Sequence, residues 1–159
     1  METIFNEYAR YILFLHILGA VVWVGGMIAV RFAVHPALQN IQDSRIRLAR
    51  TLEIVYRLFM LVMPFLVIIV FTGVVMSIGM GFKNTDFGYL THVKEGIWTV
   101  MALNYGSMFY IRKRAEQFFI AGNHEKTKSL MQILSKYMLP VNIILGLIAI
   151  FLGTVLRGF

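Results

Sequence analysis

The chain alternates between long apolar stretches and short, mostly basic ones. Apolar residues dominate at about 9–34, 57–80, 92–111 and 137–156. Each stretch is close to the ~20 residues that a helix needs to cross the hydrocarbon core of a bilayer. Between them lie a polar, basic segment around Gln39–Arg50 and a short connection, Gly81–Thr91, with turn-forming Asn84, Asp86 and Gly88. A basic loop, Arg112–Lys136, follows the third stretch and has a turn at Gly122-Asn123. The stretch Ile41–Val55, with apolar positions at Ile46, Leu48, Ala49, Leu52 and Val55, is expected to extend the second helix on the cytoplasmic side, ahead of its apolar span. Pro64 should bend that span, because proline lacks an amide hydrogen and crowds the preceding turn. The third stretch is the most polar, with Thr99, Asn104, Tyr105 and Ser107, so it should face protein rather than lipid. Small residues recur four apart at Gly25/Ala29, Gly73/Ser77, Ala102/Gly106 and Ala149/Gly153, a spacing that lets helices approach closely in lipid. The pattern predicts an all-α polytopic membrane protein: one domain over 1–159, folded as an antiparallel four-helix transmembrane bundle.

Composition agrees with that reading. The 159 residues are 58% hydrophobic and only 14% charged, with a mean hydropathy of +0.73. A soluble domain of this size could not hide so much apolar surface, so the lipid bilayer is the expected solvent. Cysteine is absent from the sequence, which excludes disulfides, thiolate metal sites, iron–sulfur clusters and haem attached through a cysteine pair. Net charge is +7, and its distribution is uneven. Eleven of the 15 lysines and arginines fall in or beside the first and third connections, and four (Arg10, Lys83, Lys94, Arg157) on the other side. This bias predicts a multi-pass protein of a bacterial-type inner (plasma) membrane, with the basic side cytoplasmic and both termini outside. The run Tyr11–Val30 is too long for a signal-peptide core and is expected to be a permanent span. Nucleic-acid binding lacks a basic soluble module, and motifs for soluble nucleotide hydrolysis or serine and zinc hydrolysis are absent from the sequence.

An ionisable residue inside a spanning helix marks a functional-site candidate. His16 is such a residue. His92 and Lys94 begin the third span, and antiparallel topology puts all three in one leaflet. His35 lies ~28 Å along the helix from His16, too far to share a metal ion with it. His16 and His92, on separate helices, are the minimum needed to hold the iron of a b-type haem. His16 shares its helix face with Gly19, Ala20, Trp23 and Met27, where small residues leave room for a macrocycle that Trp23 could edge. Lys94 could reach a haem propionate, or an anionic porphyrin substrate, by snorkelling. The competing structural reading has a lone transmembrane histidine bonding across helices to Asn104, Asn142 or Thr99. A second constellation is Met76 and Met80, one turn apart in the same leaflet, which with His16 and His92 would suit copper(I); methionine is also a common core filler. His124, beside Glu125 and Lys126, reads as an ordinary solvated histidine.

Two motifs carry a family resemblance. His16, Trp23-Val24-Gly25-Gly26 and His35-Pro36-Ala37-Leu38 resemble the first helix of the CopD-like copper-resistance membrane domain. The same stretch, with Arg31-Phe32-Ala33-Val34-His35, is also similar to the HemJ family of membrane protoporphyrinogen oxidases, as is Gly88-Tyr89-Leu90-Thr91-His92-Val93-Lys94. That segment resembles the Gly-Trp-Leu-His-Ile-Lys opening of the third HemJ helix, with Thr91 as an extra residue. The chain also lacks the proline and tyrosine that HemJ carries before the residue matching His35, and is one residue shorter there. The resemblance implies haem ligation by His16 and functional roles for Lys94 and Arg31. The expected function is therefore a haem-b-binding inner-membrane redox protein, for electron transfer or HemJ-like protoporphyrinogen oxidation. The alternatives are CopD-like copper transport or resistance and a non-catalytic membrane subunit. Candidate partners besides lipid are a porphyrin or quinone-type small molecule and a second copy of the chain.

Overall fold

A computed structural model describes residues 2–79 and 88–157. Four helical columns account for nearly all of them, with no strand among the described residues. Helix α1 covers 2–39. It runs regularly over Glu2–Ala20, widens into a π turn at Val21–Gly25, is regular over Gly26–Ala29, widens again at Val30–Val34 and ends in His35–Gln39. Helix α2 is Ser44–Gly79, helix α3 is Gly88–Ile120, and helix α4 covers 124–157 with a wide turn at Leu134–Met138. The turns ending at Val34 and Met138 each stand two residues before a proline, Pro36 and Pro140. A helical proline crowds the carbonyl four residues back. A turn of wider pitch takes up that crowding and lets the helix continue.

Each helix packs on the next, and α4 closes back on α1. Three of the four, α1, α2 and α4, are long and apolar enough to cross a membrane. The third is not among them, yet it packs between α2 and α4 as an integral part of the bundle. Phe14, Val67, Phe71, Leu103 and Phe151 are exposed on the outside, the surface a bilayer would solvate. The core is centred on Tyr105, whose ring meets Trp23 and Phe59 edge-on at 5.9 and 5.1 Å. Its hydroxyl donates to the Phe59 carbonyl at 2.7 Å.

The helices extend well past the apolar spans. The second is extended ahead of its apolar span as expected, but begins at Ser44 rather than Ile41. Most of the expected basic loop 112–136 is instead a helical hairpin: α3 continues to Ile120 and α4 starts at His124. The expected turn is there. Gly122 has a positive φ of 77°, open to glycine at no steric cost. Asn123 caps α4 by accepting from the Lys126 amide at 3.1 Å. The predicted connection around Asn84 and Asp86 lies outside the described residues, as does Met80.

The polar face of α3 divides in two. Asn104 donates to the Asn142 side-chain oxygen and the Met138 carbonyl, both at 2.8 Å, and Asn142 donates to the Met101 carbonyl at 3.3 Å. The two asparagines thus serve each other and the backbone across the α3–α4 interface. Thr99 and Ser107 face outward and satisfy their hydroxyls on their own helix, at the carbonyls of Glu95 and Leu103. Asn142 is completely buried. Asn142→Ala should therefore lower stability by about 1 kcal/mol, the usual scale for an interhelical hydrogen bond in lipid; detergent-titrated unfolding of the variant would measure it, and an unchanged midpoint would contradict the assignment.

The small-residue pairs are used differently from expectation. A Cβ on Gly25 or Gly106 would meet nothing within 4 Å, and both glycines are exposed. Gly73 and Gly153 do meet side chains of neighbouring helices, His16 and Lys94, and the tightest approaches fall at glycines outside the expected pairs. A Cβ on Gly19 would lie 2.5 Å from Ile69 on α2, and one on Gly146 would lie 2.5 Å from Val24 on α1. Spacing alone cannot distinguish the inward face of a helix from the lipid face, and the wide turns in α1 shift the register that a regular helix would keep.

Candidate functional site

All four helices converge on one site near the end of the bundle that carries both chain termini. His16 comes from α1, Thr72 and Gly73 from α2, Lys94 from α3 and Gly153 from α4. The His16 ring packs on Gly73: a Cβ there would lie 3.4 Å from Cε1. Lys94 reaches across to α4, where a Cβ on Gly153 would sit 3.0 Å from the ammonium nitrogen. The sequence placed His16 and Lys94 in one leaflet, and the fold sets both against glycines of neighbouring helices at the same end of the bundle.

The state of His16 follows from hydrogen-bond accounting. Its Nδ1 lies 2.9 Å from the Thr72 hydroxyl oxygen. That hydroxyl has one proton, and it points at the Ile68 carbonyl 2.6 Å away, one turn back on the same helix. Thr72 therefore accepts, and His16 donates from Nδ1–H. In the neutral ring the lone pair is then left on Nε2. A histidine fixed through one nitrogen with the other free to donate a lone pair is the arrangement metal-ligating histidines use. Thr72, itself buried, is a functional candidate that the sequence reading missed. Its signal was a threonine beside a glycine in an otherwise apolar stretch, Val70–Val75.

His92 does not join the cluster. Its side chain is 63% exposed and lies 3.2 Å from the Glu95 carboxylate on its own helix. Helix rotation explains this. His92 and Lys94 are two residues apart, so the side that turns Lys94 into the bundle turns His92 out. Of the expected His16–His92 pair, only His16 lies inside the bundle, so a haem held here would draw on His16 alone of the two. Gly19 also has a different task, because its missing side chain admits Ile69 rather than a flat ligand.

Trp23 is 3% exposed and packs in the core, where its indole nitrogen has no hydrogen-bond partner. It lies about two turns of α1 deeper than His16. Met76 is half-buried, one turn beyond Thr72 on the same face of α2. Arg31 and His35 stand together at the opposite, basic end. His124 is half-buried and tilted against Phe119 at 5.2 Å rather than free in solvent.

The chain matches no protein-family model, and no curated protein or solved structure matches it.

Proposed function

We propose that this chain is a haem-b-binding membrane redox protein, acting in electron transfer or in HemJ-like oxidation of a porphyrinogen. The observation that carries the reading is the Ile68–Thr72–His16 relay, which orients the imidazole and leaves Nε2 as a ligand atom. His16 would hold the iron, and Lys94 would meet a propionate or a substrate carboxylate. Bound haem would supply one-electron transfer. The protein would contribute orientation through Thr72 and a dry apolar surround, both of which tune a haem's potential. The setting proposed for this chemistry is a bacterial-type inner membrane with both termini outside the cytoplasm, as the uneven basic charge suggests.

The test is the visible spectrum of detergent-purified protein, expressed with haem supplied, first oxidised and then dithionite-reduced. A Soret band with sharp reduced α and β bands is expected. A colourless protein would refute the haem reading. Copper(I) handling is the second reading, favoured by Met76 standing one turn from the threonine that holds His16. It expects Met76→Ala combined with Met80→Ala to weaken copper(I) binding while any haem remains.

A further inference from the structure

A cavity of about 630 Å³ opens at the basic end of the bundle, far from His16. Four permanent cations line it: Arg31 from α1, Arg47 from α2, and Lys128 and Lys136 from α4. His35 stands among them, and no carboxylate belongs to the lining among the described residues. Some arginines elsewhere at this end have a carboxylate partner. Arg50 and Arg57 both pair with Glu53, at 2.9 and 2.8 Å, and Arg112 pairs with Glu116 at 2.8 Å. None of the four cavity cations pairs with a carboxylate among the described residues. Four cations therefore face one space with no carboxylate to offset them among the described residues. Like charges held around one space repel unless an anion occupies it.

The shape narrows the class of anion. Below the mouth, and sharing Arg31, His35 and Thr51 with it, is a smaller recess whose walls include Val30, Val34, Val55 and Leu139. The mouth is basic and the floor apolar. Two of the three wide helical turns among the described residues, Val30–Val34 and Leu134–Met138, bracket this place and set Arg31 and Lys136. Such turns are frequent at functional sites, because one extra residue per turn re-aims the side chains. The level is that of a membrane interface, where the apolar spans of α1, α2 and α4 give way to charge.

We propose that this cavity binds the phosphate head group of an anionic membrane phospholipid, with the start of its acyl region against the apolar floor. Basic pockets between transmembrane helices on the cytoplasmic side suit such head groups. This site is independent of the haem reading; either can fail without the other.

Native mass spectrometry of the full chain in detergent would test it, with dioleoyl phosphatidylglycerol, dioleoyl phosphatidylcholine and inorganic phosphate as probes. Phosphatidylglycerol should bind at least about tenfold more tightly than phosphatidylcholine. Arg31→Gln combined with Lys136→Gln should remove roughly 10- to 30-fold of that affinity. Lys113→Gln with Arg114→Gln, an equal charge loss at exposed positions outside the cavity, should leave it unchanged. Lys136→Gln alone, at an exposed residue that folding tolerates, should cost roughly fivefold. Equal affinity for the two lipids would overturn the proposal, and so would an equal loss in the Lys113/Arg114 control. Inorganic phosphate binding as tightly as the lipid would overturn the lipid assignment in favour of a soluble phosphate.

Discussion

On the proposed haem reading, His16→Ala should abolish the haem spectrum altogether, leaving a folded protein without a Soret band. The iron would lose the one imidazole whose orientation the fold fixes. Thr72→Val is the more informative partner. It keeps the shape of the side chain and the imidazole itself, but removes the acceptor that holds the Nδ1 proton. Loss of such an outer partner usually costs ~10- to 100-fold in affinity at a metal site. Thr72→Val should therefore retain a haem spectrum, with weaker retention of haem through detergent washing and a shifted midpoint potential. Thr72→Ser, which restores the hydroxyl, should recover both. A His16→Ala protein with an undiminished Soret band would place the ligand elsewhere. A Thr72→Val protein indistinguishable from wild type would remove Thr72 from the site.

The second large effect separates glycines that resemble one another in sequence. Gly19→Ala and Gly146→Ala should each cost ~1–3 kcal/mol, the usual scale for overpacking a tight contact. The added methyl on Gly19 would run into Ile69, with the Phe65 carbonyl 3.2 Å behind it; on Gly146 it would run into Val24. Gly25→Ala and Gly106→Ala should be neutral or raise stability by up to ~1 kcal/mol, since alanine is the better helix former and nothing obstructs it. Unfolding of the four variants in mixed micelles under one set of conditions would measure the contrast. Four equal shifts would mean that the α1–α2 and α1–α4 contacts are not as close as described.

The fold class was legible because it depends on long-range patterning of apolar residues, which a helical membrane protein writes plainly. The expectation that Ile46 to Val55 prolongs the second helix held for the same reason. The inward and outward faces were less legible. The pair Gly25/Ala29 has the spacing of a packing motif, and so does Gly73/Ser77, yet Gly25 faces outward and Gly73 supports His16. Nothing in the spacing tells them apart. At the site, the association of His16 with Lys94 followed from topology alone. The separation of His92 from His16 required the rotational phase of α3, which differs by about 200° between residues 92 and 94. Thr72 escaped notice because threonines in apolar helices commonly bond their own backbone. Thr72 does so as well, and that bond is what makes it an acceptor for His16.

The asparagine pair between α3 and α4 has a consequence for a place it does not touch. Asn104 and Asn142 lie ten and eleven residues from Lys94 and Gly153, about three helical turns along the same two helices. A one-residue screw of α4, ~1.5 Å along its axis with a ~100° rotation, would set Leu152 or Thr154 opposite the ammonium in place of Gly153. Van der Waals packing between aliphatic surfaces resists such a movement only weakly, because many offsets fill space almost equally well. A directional bond at 2.8 Å between two amides tolerates far less displacement. The pair acts as a detent deep in the membrane, and its grip keeps a slot open for the lysine some 15 Å away.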